Sequence, residues 1–141
     1  MKKAFGAVIA VAVLLAVLSG SLLSQRNAEH EKMEVLCQIS AARALEEFRS
    51  YQKSQTDSDY LSGVAEFRSF MTAYLFLQDN VSNPEYLWCN TVYGDMVLHP
   101  ERVQADMQGL VEGLEFLSQD YTSHNGFLRI SNYAHQLTYG S

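Results

Sequence analysis

One stretch restricts this chain more than any other: fifteen residues without a polar group, Ala4 to Leu18, directly behind Met1-Lys2-Lys3. A helix that is apolar on every side has no place on the surface of a small soluble domain. Extended through Ser19-Gly20-Ser21 to Leu22 and Leu23, it reaches about 30 Å as a helix, close to the hydrocarbon thickness of a bilayer. Lys2, Lys3 and the α-amine favour a cytoplasmic N-terminus with the rest of the chain outside. The same pattern, with small residues at Ser19 and Ser21, also describes a cleavable signal peptide. Leu22 and Leu23 tip the balance toward an uncleaved single-pass anchor over residues 1–23, with secretion after cleavage as the alternative. Residues 24–141 then form one extracytoplasmic domain, enough chain for a modest core.

Composition narrows what that domain binds. Behind the apolar run there are 8 Lys+Arg against 16 Asp+Glu, a net of −8. Phosphate backbones and anionic lipid would be repelled, so nucleic-acid binding is not expected. Only two prolines interrupt the sequence, which favours helices.

Between Gly20 and Gly63 there is neither Pro nor Gly, so a helix starting in the apolar segment can run on. Met33, Leu36, Cys37, Ala41, Ala44, Phe48 and Tyr51 form one apolar stripe. Thr56-x-x-Asp59 reads as a capping box opening a second helix, whose seam is Tyr60, Val64, Phe67, Met71, Tyr74 and Gln78. Asp79 to Asn83 is a turn, and Pro84 suits the first position of a third helix capped by Asn83 or Ser82. His99-Pro100-Glu101 repeats the start signal. The fourth helix then carries Val103, Met107, Leu110, Leu114, Leu117 and Tyr121, and is expected to stop with Gly126 in a left-handed cap. Phe127 to Tyr139 fits a short last helix, although Phe127 to Ile130 fits an extended segment equally well. The predicted class is all-α: an N-terminal transmembrane or signal helix, then an up-and-down bundle of three to four helices with a short C-terminal segment.

Signals for chemistry are sparse. Cys37 and Cys89 are the two cysteines of a chain read as exported, so a disulfide is favoured, closing a loop of about 52 residues worth roughly 4 kcal/mol; two buried thiols are the alternative. His30, His99, His124 and His135 show no metal-ligand spacing. In His30-Glu31-Lys32-Met33-Glu34 a glutamate stands where a zinc-protease helix has its second histidine. Glu46, Glu47, Glu112, Glu115 and Asp120 read as solvated carboxylates, Asp95 and His99 as neighbours across one turn. Neither a nucleophile elbow nor a phosphate-binding loop is present. No catalytic residue, metal or cofactor is therefore assigned. Gly109-x-x-x-Gly113 offers a strip of small side chains, either for packing inside the bundle or for a partner. Tyr86, Trp88 and Tyr93, crowded on one short helix, complete the candidate interface. Asn80-Val81-Ser82 has the form of a glycosylation acceptor, relevant only in a eukaryotic secretory route.

Two likenesses touch the N-terminus alone. Leu18-Ser19-Gly20-Ser21 resembles a bacterial lipoprotein box, but Ser21 stands where the lipidated cysteine belongs. Lys2-Lys3 and Gly6 followed by Ala7 to Leu18 are loosely similar to the leader and apolar segment of type IV pilins. Val11 stands where that group has glutamate, and no β-sheet pattern follows. The function expected from the sequence is a membrane-anchored, non-enzymatic helical module that docks onto a protein partner. A ligand-binding or sensing domain acting through a partner is the alternative.

Overall fold

A computed structural model of the protein describes residues 2–140, with side chains from Ser19 onward. Among the described residues there are six helices and no strand: α1 (Lys2–Ser54), α2 (Asp57–Gln78), α3 (Pro84–Leu98), α4 (Pro100–Ala105), α5 (Gln108–Gln119) and α6 (His124–Tyr139). The chain divides into two compact units, Met1–Lys32 and Met33–Ser141. In the first, Ser19 to Lys32 are exposed along the helix, Leu22 and Leu23 included. Most of the expected membrane segment, residues 4–23, lies outside the residues whose side chains are described. Among the described residues no helix is long and apolar enough to cross a membrane.

The second unit is a helical bundle built from antiparallel neighbours. Along α1 and α2, Cys37 lies against Phe70, Arg43 against Glu66, and Phe48 against Gly63. As the chain advances on one helix it retreats on the other. Gln55, with φ 55°, makes the turn between them. The expected capping box does not form there. Thr56 is the cap residue of α2 but its side chain bonds no helix N–H, while the Asp59 carboxylate turns back to accept from Ser50 and Ser54 on α1. Two serine hydroxyls on the preceding helix outcompete the local partner.

Asp79, left-handed at φ 48°, closes α2 by donating its N–H to Leu75 O. Asn83 then caps α3 as expected, its Oδ1 accepting from Glu85 N at 2.9 Å and Tyr86 N at 3.2 Å, with Pro84 at the first helical position. This helix returns along α2. The Tyr74 hydroxyl donates to Glu85, Arg68 lies over the Tyr93 ring, and the Tyr60 hydroxyl donates to Met96 O at 3.0 Å.

The expected fourth helix is two. Asp106 is extended between α4 and α5, its carboxylate accepting from Gln108 N at 3.0 Å and from Gln136 Nε2 at 3.0 Å. Its carbonyl accepts the Tyr133 hydroxyl at 2.8 Å. A carbonyl engaged by a tyrosine, on an aspartate whose carboxylate accepts the first N–H of the next helix, ends one helix and starts another without altering the apolar register. Val103, Met107, Leu110, Leu114 and Leu117 all remain buried.

Gly126 is not a left-handed cap; none of the described glycines has positive φ. Ser123 caps α6 instead, and Gly126 is buried in its first turn, where it comes close to α5. The C-terminal segment is thus a full helix of 16 residues. Phe67, Phe70, Tyr74 and Phe127 meet in the core with the α5 leucines and Ile130, all nearly inaccessible.

Candidate docking groove

The cysteines sit deep in this core. Cys37 and Cys89 are free thiols, both essentially inaccessible, and Cys37 Sγ donates to Phe70 O at 3.8 Å. The expected disulfide is therefore not present; each thiol is accommodated as a small apolar group with a weak donor. Burial pushes the Cys37 thiol up to about 12, and burial, then the neighbouring Cys37, pushes Cys89 higher still. Thiols held protonated in this way are poor nucleophiles.

Gly109 and Gly113 do not offer a free strip. A Cβ on Gly109 would lie 3.1 Å from the Tyr133 ring, and one on Gly113 would lie 2.7 Å from Ile130 Cδ1 and 3.2 Å from Gly126 O. Their face is covered by α6 of the same chain, because three glycines, Gly109, Gly113 and Gly126, let two backbones approach. Tyr86, Trp88 and Tyr93 are half-buried against the core rather than gathered into an exposed surface. Tyr93 lies beneath the Arg68 guanidinium, 5.0 Å from the ring centroid.

Several of the acidic residues pair with arginines. Glu112 pairs with Arg129 and Glu115 with Arg49, each at 3.2 Å, and Asp95 lies 3.8 Å from Arg102 rather than against the His99 ring. Glu34 accepts from the Tyr121 hydroxyl. Among the described residues no group of three His, Cys, Asp or Glu side chains could hold a metal ion.

A different surface stands out. Between the first two turns of α2 and the corner joining α3 to α4 runs a groove of about 460 Å³, lined by Tyr60, Leu61, Val64, Met96, Val97 and Pro100, with Asp57 and Gln104 at its rim. Tyr60 and Met96 form its floor, nearly inaccessible and joined by the Tyr60 hydroxyl bond. Leu61 is 63% exposed and Val97 54%, so the walls are apolar side chains that the fold leaves in water. Asp57 is the one charged residue lining it. Glu101 on α4 is close enough for its charge to act on Tyr60, whose hydroxyl burial pushes well above the usual tyrosine range, with smaller contributions from Tyr51 and Glu101.

Seam periodicity passes over these residues for a simple reason. Leu61 and Val97 each follow a buried residue, Tyr60 and Met96, by one position, which turns them off the buried face. Their sequence signal is a large apolar side chain one step out of register on a helix whose buried stripe is already complete. That signal becomes a site only when the α2–α3 pairing brings the two positions together.

Compared with protein-family models, with curated proteins and with solved structures, the chain matches none.

Proposed function

We propose that this protein is a non-enzymatic interaction module, tethered to a membrane through residues 4–23, that presents its helical bundle outside the cell and docks a protein partner in the α2/α3–α4 groove. The observation that carries this reading is the pairing of Leu61 and Val97, exposed apolar walls over a buried Tyr60–Met96 floor. Buried apolar cores with polar rims are what protein interfaces use for affinity and specificity. The membrane tether rests on the apolar run Ala4 to Leu18 behind two lysines.

Two experiments test it. Fractionation with intact mass of the mature chain should return the full-length protein in the membrane fraction; a soluble chain beginning near Ser21 would replace the tether with secretion. A photoreactive amino acid at Val97, in the cells that make the protein, should yield a polypeptide adduct that the same group at Leu128 on α6 does not. Equal adducts at both positions, or none at Val97, would sink the docking site. The groove's volume also falls within the range of small-molecule sites, which supports a ligand-binding or sensing reading in second place. A small-molecule adduct at Val97 would favour it.

A further inference from the structure

The side chains lining the groove narrow the chemistry of its occupant. Resting on the reading of the groove as a docking site, we infer that it takes a basic amphipathic helix, with two apolar side chains one turn apart entering between Leu61 and Val97 and with Lys or Arg on its flanks.

The apolar half follows from the groove's dimensions. Its α2 wall runs from Asp57 to Val64, about 10 Å of helix, long enough to seat an i, i+4 pair. Tyr60, Val64 and Met96 offer such a pair an apolar floor without an unpaired buried polar atom, since the Tyr60 hydroxyl is already satisfied by Met96 O. An apolar anchor can enter without orphaning a hydrogen-bonding group.

Charge supplies the other half. Asp57 is the one charged residue lining the groove, and Glu101 reaches its floor electrostatically. Glu101 is highly exposed, and His99, 3.9 Å away, pairs with it only when protonated. Behind the rim, the chain beyond the apolar segment carries a net −8. An acidic helix would meet like charge at Asp57 and Glu101, whereas a basic one is attracted. An apolar groove with an acidic rim thus discriminates between helices of equal hydrophobicity.

The test uses the full chain in nanodiscs of zwitterionic phosphatidylcholine, with empty discs as the reference. Two fluorescent synthetic helices share one leucine face; one carries lysine and the other glutamate on its flanks. The lysine helix should bind, with affinity falling as salt rises, and the glutamate helix should bind about tenfold more weakly or not at all. Leu61→Asp with Val97→Asp should weaken the lysine helix about tenfold or more. Asp57→Lys with Glu101→Lys should reverse the preference between the two helices.

Equal binding of both helices, or binding that survives Leu61→Asp with Val97→Asp, would overturn the inference. So would the absence of binding by either. In that last case the Val97 adduct separates the two readings. A polypeptide adduct at Val97 that contains no basic helix leaves the docking module standing and removes only this partner. No adduct removes both.

Discussion

The α5–α6 hairpin and the α2/α3–α4 corner use apolar residues in opposite ways. In the hairpin, Gly109, Gly113 and Gly126 give up their own side chains so that Tyr133, Ile130 and Leu117 can fill the space, and Leu110, Leu114 and Leu117 are entirely shielded. At the corner, Leu61 and Val97 remain more than half exposed above a floor that is already closed. Single exposed apolar residues are ordinary on any protein surface. What distinguishes these two is that they line one groove together with Asp57. The contrast teaches where to look for function: the closed hairpin spends its apolar residues on stability, while the corner keeps some in reserve.

The largest expected effect comes from opening the closed region. Leu114→Ala should destabilise the bundle by about 3 kcal/mol, the usual cost of a cavity in a packed core, read as a lower urea midpoint by circular dichroism. Gly126→Val works in the other direction, by overfilling. Its Cβ would sit 2.7 Å from Leu117 Cγ and 3.1 Å from Gly113 O. The leucine can shift but the backbone carbonyl cannot follow, and a loss of about 2 kcal/mol is expected. If either substitution is tolerated without change, the hairpin is not the closed half of the molecule.

Smaller effects sharpen the picture at the joints. Asn83→Ala, which removes the acceptor for two N–H groups at the start of α3, should cost about 1 kcal/mol. Asp106 adds a pH dependence. The Gln108 N–H, then the Gln136 side chain, holds its carboxyl below the usual aspartate value. A depressed folded-state value contributes stability above the ordinary aspartate range and loses it as pH falls through the folded value. Unfolding curves should therefore weaken on acidification, and Asp106→Asn should show a shallower acid limb; an unchanged slope would mean the α4–α5 break does not depend on the carboxylate. In the native protein Cys37 and Cys89 should resist thiol reagents near neutral pH and react only on unfolding.

Much of the bundle was legible because helix periodicity and caps are local. Asn83-Pro84 marks the start of α3, and the 4-3-4-3-4 seams pick out Tyr60 to Tyr74 and Val103 to Leu117 as buried, while their last members leave the core, Gln78 exposed and Tyr121 half-buried. Long-range partners decided the features that local pattern missed. Tyr133 and Gln136, some 30 residues away, fix the break at Asp106; Ser50 and Ser54 draw Asp59 out of its capping box. Gly126 looked like a terminator because a glycine after a helical run usually is one. Here it serves close approach to Gly113 O, a requirement invisible until α5 and α6 are paired. Leu61 and Val97 were passed over for the same reason, since each is only an off-seam residue until the fold brings them into one groove.

The most direct test asks whether the groove is separable from the fold. Leu61→Asp should be introduced into the full chain, and the urea midpoint and the Val97 photo-adduct measured on the same protein. At 63% exposure Leu61 should change stability by less than about 0.5 kcal/mol while the adduct is lost. Loss of stability together with the adduct would show that Leu61 belongs to the core rather than to a docking surface. Retention of both would show that the partner, if it binds, binds elsewhere.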